Sequence, residues 1–117
     1  MSERREITQK ELDEMIENRK GKLILENIKI YRLIIENIKY VNIYINNCDI
    51  IQTKFQYMNE CEITINNSIF YNNSISYSNL NDFTINKSDL RRTEINFCRI
   101  YIAEITHCDI YGLFFEN

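Results

Sequence analysis

Apolar residues recur along this chain with a period of five. Every fifth residue from Leu25 to Phe115 gives 19 positions, of which 18 are apolar or aromatic and only Glu60 is charged. The residues two places earlier, from Leu23 to Leu113, are apolar or small, with Asn73 the least expected among them. A period of five matches neither a helix nor a flat strand. It predicts a β-solenoid in which the chain turns a corner every five residues and points two side chains per unit inward.

Residues twenty positions apart are alike, which predicts four units per coil and stacked columns of side chains. The columns include the amides Asn46, Asn66 and Asn86, the small inner residues Cys48, Ser68, Ser88 and Cys108, and the outer aromatics Tyr57, Tyr77 and Phe97. Ladders of identical amides and aromatics are favoured in β-stacks. We therefore expect Ile65, Ile85 and Ile105 to share one face.

Units such as Cys48-Asp49-Ile50 and Ser88-Asp89-Leu90 resemble the pentapeptide-repeat family, whose consensus is a small residue, Asp or Asn, Leu or Phe, and two polar residues. The resemblance covers residues 23–117, although the early units up to Ile43 carry Ile or Leu at the small position. It implies an all-β solenoid, a right-handed quadrilateral β-helix of nearly five coils spaced about 4.8 Å apart.

The segment 1–22 lacks the repeat and is predicted to cap the first coil of the repeat domain, 23–117. Thr8 and Glu11 form a capping-box pattern, and Ile7 and Leu12 stand at the positions of a hydrophobic staple. These signals predict a helix over residues 9–20, with Gly21 as its C-terminal cap.

Glu60 is the local conflict in the repeat, because its frame points it into the core, where an unpaired carboxylate is costly. Either the corner at 59–62 is distorted so that Glu60 escapes, or Glu60 is buried with hydrogen bonds and a raised pKa. We expect the distortion. In the same frame Tyr40 points inward, whereas Cys61 points outward as an accessible thiol.

Composition narrows the classes of function without naming one. The net charge is −3, which argues against direct nucleic-acid binding, and no apolar run is long enough for a membrane span. The chain has 2 Gly and no Pro, so it lacks a glycine-rich phosphate loop. Its one histidine, His107, falls at an outward position. We expect no enzyme, no cofactor, no metal site, four free thiols and a cytoplasmic location, since no secretory signal precedes the repeats.

The resemblance implies a function through a protein partner. Members of this family include rods that resemble duplex DNA and inhibit DNA gyrase. We therefore expect a non-enzymatic inhibitor of a DNA-processing protein such as gyrase. A phage or mobile-element protein that blocks a DNA-binding machine of its host would act in the same way. The alternative is a rigid interaction scaffold without DNA mimicry. The expected partner-binding residues lie on the face with the most negative balance: Glu36, Tyr57, Tyr77, Glu94, Phe97 and Glu116. No helix follows the last coil, so we expect a homodimer through Leu113, Phe114 and Phe115.

Overall fold

Short parallel strands stack on one another with a register of twenty residues, which confirms the predicted β-solenoid. The computed structural model describes residues 4–116. Its elements are β1 (Arg5–Glu6), α1 (Gln9–Glu17), β2 (Lys22–Glu26), β3 (Ile28–Tyr31), β4 (Ile34–Lys39), β5 (Asn42–Asn46), β6 (Asp49–Ile51), β7 (Lys54–Asn66), β8 (Ile69–Tyr71), β9 (Ser74–Ser76), β10 (Asn79–Asn86), β11 (Glu94–Asn96), β12 (Arg99–Ile100), β13 (Ala103–Thr106) and β14 (Phe114–Glu116).

The strands form four sides of a β-helix. Side 1 holds β2, β5, the ends of β7 and β10, and β13; side 2 holds β1, β3, β6 and β8. Side 3 holds the start of β4, the start of β7, β9, β11 and β14; side 4 holds the end of β4, the middle of β7, the start of β10 and β12. Ile65 pairs with Ile85, which pairs with Ile105, so these residues share one side as predicted.

The inward columns form one core of stacked aliphatic and aromatic side chains. Ile45, Ile65 and Ile85 are buried on side 1, and Phe55 and Phe70 meet across the interior with ring centroids 5.3 Å apart. The last coil is less covered: Ile105 is only partly buried, and Ala103, Ile110 and Phe115 are exposed although their frame points inward. Among the described residues, no further coil stacks on β13 and β14.

Small inward residues satisfy the backbone at the corners. Ser68 accepts a hydrogen bond from the Cys48 amide at 3.0 Å and donates to the Asn66 carbonyl at 2.8 Å. Asn73 is the least expected inward residue, yet it is buried with both the oxygen and the nitrogen of its side-chain amide hydrogen-bonded. Its Oδ1 accepts from the Thr53 amide at 2.9 Å and its Nδ2 donates to the Ile50 carbonyl at 3.0 Å.

The corner at Glu60 is distorted as predicted, but the predicted positions of Cys61 and Tyr40 are wrong. Glu60 is exposed with φ of 52°, while Cys61 takes its place in the core, so the expectation of an accessible Cys61 thiol is wrong. The coil before repeats the shift: Tyr40 is 69% exposed and Val41 is buried, so Tyr40 does not point inward. The third coil has no such shift, because Leu80 itself is buried and pairs with Cys61 across a register irregularity.

The capping helix begins where the sequence predicts and ends earlier. Thr8 and Glu11 make both bonds of the capping box. The helix ends at Glu17 with Asn18 as its C-terminal cap, so Gly21 is not the cap; with φ of 86° it instead turns the chain into β2. Leu12 is fully buried on the first coil.

The cap also closes the edges of two strands. β1 pairs with β3 on side 2, and the Ile7 amide donates to the Lys29 carbonyl at 3.0 Å. On side 3 the Gln9 side-chain amide bonds both the N–H and the C=O of Ile34, each at 2.8 Å, as a neighbouring strand would.

Candidate partner-binding surface

The predicted aromatic column exists as a continuous stack at the corner between sides 3 and 4. The rings of Tyr57, Tyr77 and Phe97 are parallel within 10°, with centroids 5.4 and 5.2 Å apart. We call these three residues the aromatic ladder. Each is about half exposed and has a left-handed backbone, with φ between 50° and 54°. The turn at this corner requires that conformation, which is uncommon for bulky residues, and the stacked rings offset part of its cost.

Side 3 carries the predicted carboxylates but does not bring them together. Glu36 lies in β4 at the head, whereas Glu94 lies in β11 and Glu116 in β14 near the tail; all three are exposed. Glu36 and Glu116 stand four coils apart in one column, which corresponds to about 19 Å at the strand spacing. The side chains between them in that column are neutral: Gln56, Ser76 and Asn96. Side 3 therefore has an acidic head and an acidic tail, and the exposed side chains between them are neutral except for Lys54.

The cap helix adds carboxylates that the sequence reasoning missed. A groove of about 400 Å³ between α1 and β4 is lined by Gln9, Asp13, Ile16, Glu17, Ile34 and Glu36, and we call it the cap groove. Its Asp13 and Glu17 are one helical turn apart, a spacing that could have been recognised in the sequence. α1 carries four acidic residues and one lysine, so the head of side 3 is more negative than the repeats alone indicate.

Three aspartates of side 2, by contrast, lie close to an arginine. Arg4 bonds Asp49, and the Arg91 guanidinium lies 2.8 Å from Asp89 and 3.8 Å from Asp109. The hydrogen bond from Arg91 lowers the pKa of Asp89, outweighing the opposing effect of partial burial. Within 4–116, the carboxylates of the cap groove form no ion pair. Unlike these aspartates, the carboxylates of the cap groove are therefore not neutralised by an arginine.

The thiols lie at inward positions and do not form a reactive site. All four cysteines are free; Cys48 and Cys61 are buried, and Cys98 and Cys108 are partly buried. Burial raises the pKa of Cys48, Cys61 and Cys98, and hydrogen bonds with backbone groups only partly offset it. A raised thiol pKa lowers the fraction of reactive thiolate at neutral pH.

Other functional groups are dispersed over the part of the chain that the structure covers. His107 is exposed on side 1, at a corner with φ of 54°. Across residues 4–116 no cluster of three or more His, Cys, Asp or Glu side chains could hold a metal ion. The one described helix is too short and polar to cross a membrane.

Of the three predicted interface residues at the tail of the solenoid, one is partly buried and two are exposed. Leu113 packs against the core, whereas Phe114 and Phe115 are 49% and 53% exposed. Phe115, with Ile95, Cys98, Ile100 and Ala103, lines an open apolar cleft beneath the last coil. Phe114 projects from the rim as expected, while Phe115 points inward but has no coil over it among the described residues.

The geometry is that of a β-solenoid compatible with a pentapeptide-repeat β-helix, with a cap groove at the head, an aromatic ladder along one corner and an apolar tail. Comparison with protein-family models, with curated proteins and with solved structures finds no match to this chain.

Proposed function

We propose that this protein is a non-enzymatic inhibitor that binds the DNA-binding surface of a DNA-processing protein, with DNA gyrase as the first target to test. The observation that carries the proposal is the unpaired acidic groove of Asp13, Glu17 and Glu36 at the head of side 3. A DNA-binding surface is rich in Lys and Arg, so unpaired carboxylates on a rigid rod would steer toward it and compete with phosphates.

The rigidity of the solenoid supports this proposal. Its extents are 34 × 31 × 20 Å, of which only the smallest is comparable with the width of a DNA duplex, and its parallel strands are held by hydrogen-bonded ladders. A rigid ligand loses little conformational freedom on binding. The aromatic ladder lies on the corner beside side 3 and would supply flat contact area next to the charged groups, as aromatics do at interface cores.

The decisive measurement is gyrase supercoiling with added protein. We expect inhibition by the natural chain at micromolar concentration and at least a tenfold loss in the Glu36→Lys/Glu94→Lys variant. The matched control is Glu6→Lys/Glu104→Lys, which makes the same charge change on exposed residues of sides 2 and 1. No inhibition by the natural chain would remove gyrase as the target, and equal loss in both variants would show that net charge rather than side 3 matters.

The second candidate is an interaction scaffold that holds a protein partner without mimicking DNA. The middle of side 3 has no carboxylate, since Gln56, Ser76 and Asn96 separate the acidic ends and Lys54 adds a positive charge, and this favours the scaffold. A salt titration of binding separates the two functions, because mimicry weakens steeply as ionic strength rises from 50 to about 200 mM whereas a contact centred on the ladder does not.

We also propose that the protein acts in the cytoplasm as a homodimer joined at its tail. Phe114, Phe115 and the partly buried Leu113 form an apolar end that a second copy would cover. Sedimentation of the natural chain at tens of micromolar should show a dimer, and Phe114→Asp should shift it to monomer. A natural chain that sediments as a monomer, or a Phe114→Asp variant that stays dimeric through the tail, would contradict this arrangement.

A further inference from the structure

The outward side chains of side 3 form two columns that run from the head to the tail of the solenoid. The first column consists of Ile34, Lys54, Ser74, Glu94 and Phe114. The second column consists of Glu36, Gln56, Ser76, Asn96 and Glu116. All of these side chains are exposed or partly exposed, so the described part of the chain leaves this face open.

The first column becomes complementary to itself when its order is reversed. Ser74 stands at the centre, with Lys54 one coil towards the head and Glu94 one coil towards the tail. Two coils from the centre, Ile34 lies at the head and Phe114 at the tail. A second copy packed on this face with its solenoid axis antiparallel therefore places a carboxylate opposite each ammonium group and an apolar side chain opposite each apolar one.

The second column fits the same arrangement at its centre and opposes it at its ends. Ser76 lies opposite Ser76 of the second copy, and Gln56 lies opposite Asn96, so side chains that can hydrogen-bond face each other. Glu36 lies opposite Glu116, and these like charges weaken the association. The small serines at the centre let the two sheets approach to about 10 Å, the usual spacing of packed sheets.

The two charged residues of the first column are available for such a pairing. Within the part of the chain that the structure covers, neither Lys54 nor Glu94 forms an ion pair, and both are exposed. Complementary charges fix the register of an interface more than they add affinity. A shift by one coil would place Lys54 opposite Ser74 or Phe114 instead, so charge favours the arrangement with Ser74 opposite Ser74.

The cap does not obstruct this packing, because it lies beyond the end of the second copy. α1 and Gln9 lie at the head edge of β4, and β4 faces β14 of the second copy. No coil follows β14 among the described residues, so the described chain of the second copy ends before it reaches α1. Phe114 of the second copy, 49% exposed, lies beside Ile34 and the cap groove, and the two aromatic ladders run along one edge of the interface.

We infer that side 3 is a self-association surface, at which two copies pack face to face with antiparallel solenoid axes about a twofold axis along β9. The interface holds two Lys54–Glu94 ion pairs and an Ile34–Phe114 contact at each end. Five short strands make a small interface, so the association is weak and depends on concentration. The paired copies cover the face that we propose for a DNA-processing protein, so self-association regulates that binding; only this last step rests on the proposed function.

Chemical cross-linking at the twofold axis tests the inference. Ser74→Cys places one new thiol of each copy about 10 Å from the other, within reach of a short bismaleimide. We expect a covalent dimer at about 100 µM protein, since an interface of this size binds weakly. Thr84→Cys, partly exposed on side 1, is the matched control and should give no dimer above the background of the natural chain, whose four thiols are buried or partly buried. A dimer joined at the tail keeps the two Ser74 positions at least about 19 Å apart and is not cross-linked there.

A charge-exchange series in the Ser74→Cys protein identifies the paired residues. Lys54→Glu should lower the yield of cross-linked dimer about tenfold, because it places glutamate opposite Glu94 in both pairs. Glu94→Lys should do the same, and the double variant Lys54→Glu/Glu94→Lys should restore the yield. Lys87→Glu, on an exposed lysine away from side 3, is the control and should change nothing. Glu116→Gln should raise the yield, because it removes the like charge opposite Glu36.

Mixed samples test the antiparallel orientation. Gln56→Cys and Asn96→Cys should cross-link more in a mixture of the two variants than in either variant alone, because these positions face each other only between copies. The absence of a Ser74→Cys dimer, an equal yield from Thr84→Cys, failure of the charge exchange to restore the yield, or no gain in the mixed sample would each overturn the inference. The experiment contains no target protein, so its failure is separate from the outcome of the gyrase assay.

Discussion

At the scale of single residues, the corner occupied by Tyr40 and Glu60 shows how the core selects its occupant. In the first two coils the inward position moves from Tyr40 to Val41 and from Glu60 to Cys61, and the bypassed residues take left-handed φ values of 57° and 52°. In the third coil Leu80 is followed by Asn81 and stays inward. At each coil the more apolar of two adjacent residues enters the core, and the left-handed residue absorbs the extra length.

A substitution at Glu60 tests this account. Glu60→Gly should raise the free energy of unfolding by about 0.5–1 kcal/mol, because glycine adopts the left-handed conformation without a steric penalty. Glu60→Leu should be nearly neutral, because the side chain is exposed. Urea denaturation measures both changes. Cys61→Glu is the contrasting variant and should lose several kcal/mol, since it buries a carboxylate; a large loss in Glu60→Leu would show that Glu60 is engaged in a buried network.

Asn73 is the second residue whose environment decides its role. Asn73→Ala should lower the free energy of unfolding by about 2–4 kcal/mol, because it removes two hydrogen bonds and leaves the Thr53 amide without its acceptor in the core. Asn81→Ala, on an exposed asparagine, is the control and should change stability by less than about 0.5 kcal/mol. An equal effect in the two variants, measured by urea denaturation, would contradict the buried-amide account.

At the scale of elements, the cap is attached to the solenoid by apolar packing and by a side-chain amide that hydrogen-bonds a strand edge as a neighbouring strand would. Leu12 packs on the core, and the Gln9 amide occupies the place of a peptide group on β4. Gln9→Ala should cost about 1 kcal/mol and Leu12→Ala about 2–4 kcal/mol in thermal or urea unfolding. Lys10→Ala, exposed on the same helix, should be nearly neutral; a Gln9→Ala variant as stable as this control would show that the β4 edge does not need its amide partner.

The helix also shows which local signals the sequence carries. Its start was predictable, because the capping box of Thr8 and Glu11 is a short-range pattern that the structure reproduces. Its end was not, since residues 18–20 have no strong stop signal and the chain must leave the helix early to reach β2 on side 1. Gly21 was wrongly predicted to be the C-terminal cap, a position that Asn18 takes.

At the scale of the whole molecule, the four-sided solenoid followed from the repeat, but the cap groove did not. Apolar periodicity assigns inward and outward positions, and residues twenty apart fix the columns. The placement of Asp13 and Glu17 beside Glu36 depends on how α1 lies across the first coil, which no periodicity encodes. The exposure of Phe115 likewise depends on what lies beyond the last coil and not on its place in the repeat.

The two ends should differ from the middle in protection from hydrogen exchange. β7 has strands on both edges along most of its length, whereas β13 and β14 are paired on one edge within the described chain. Backbone amides of β7 should therefore exchange at least a hundredfold more slowly than those of β13, because local opening at an end needs less free energy. Exchange followed by mass spectrometry at low protein concentration measures this, and uniform protection would argue for a tail covered by another copy.

Because each coil has twenty residues, the position of a residue within its coil decides which side of the solenoid it lies on. Removing or adding one five-residue unit would leave every inward position apolar, yet it would turn everything downstream by a quarter turn. Phe97 would then no longer lie under Tyr77, and Glu94 and Glu116 would move from side 3 to an adjacent side. Such a change would preserve the core but would divide a binding surface on side 3 between two sides. An insertion or deletion that preserves side 3 must therefore contain twenty residues, which is one whole coil.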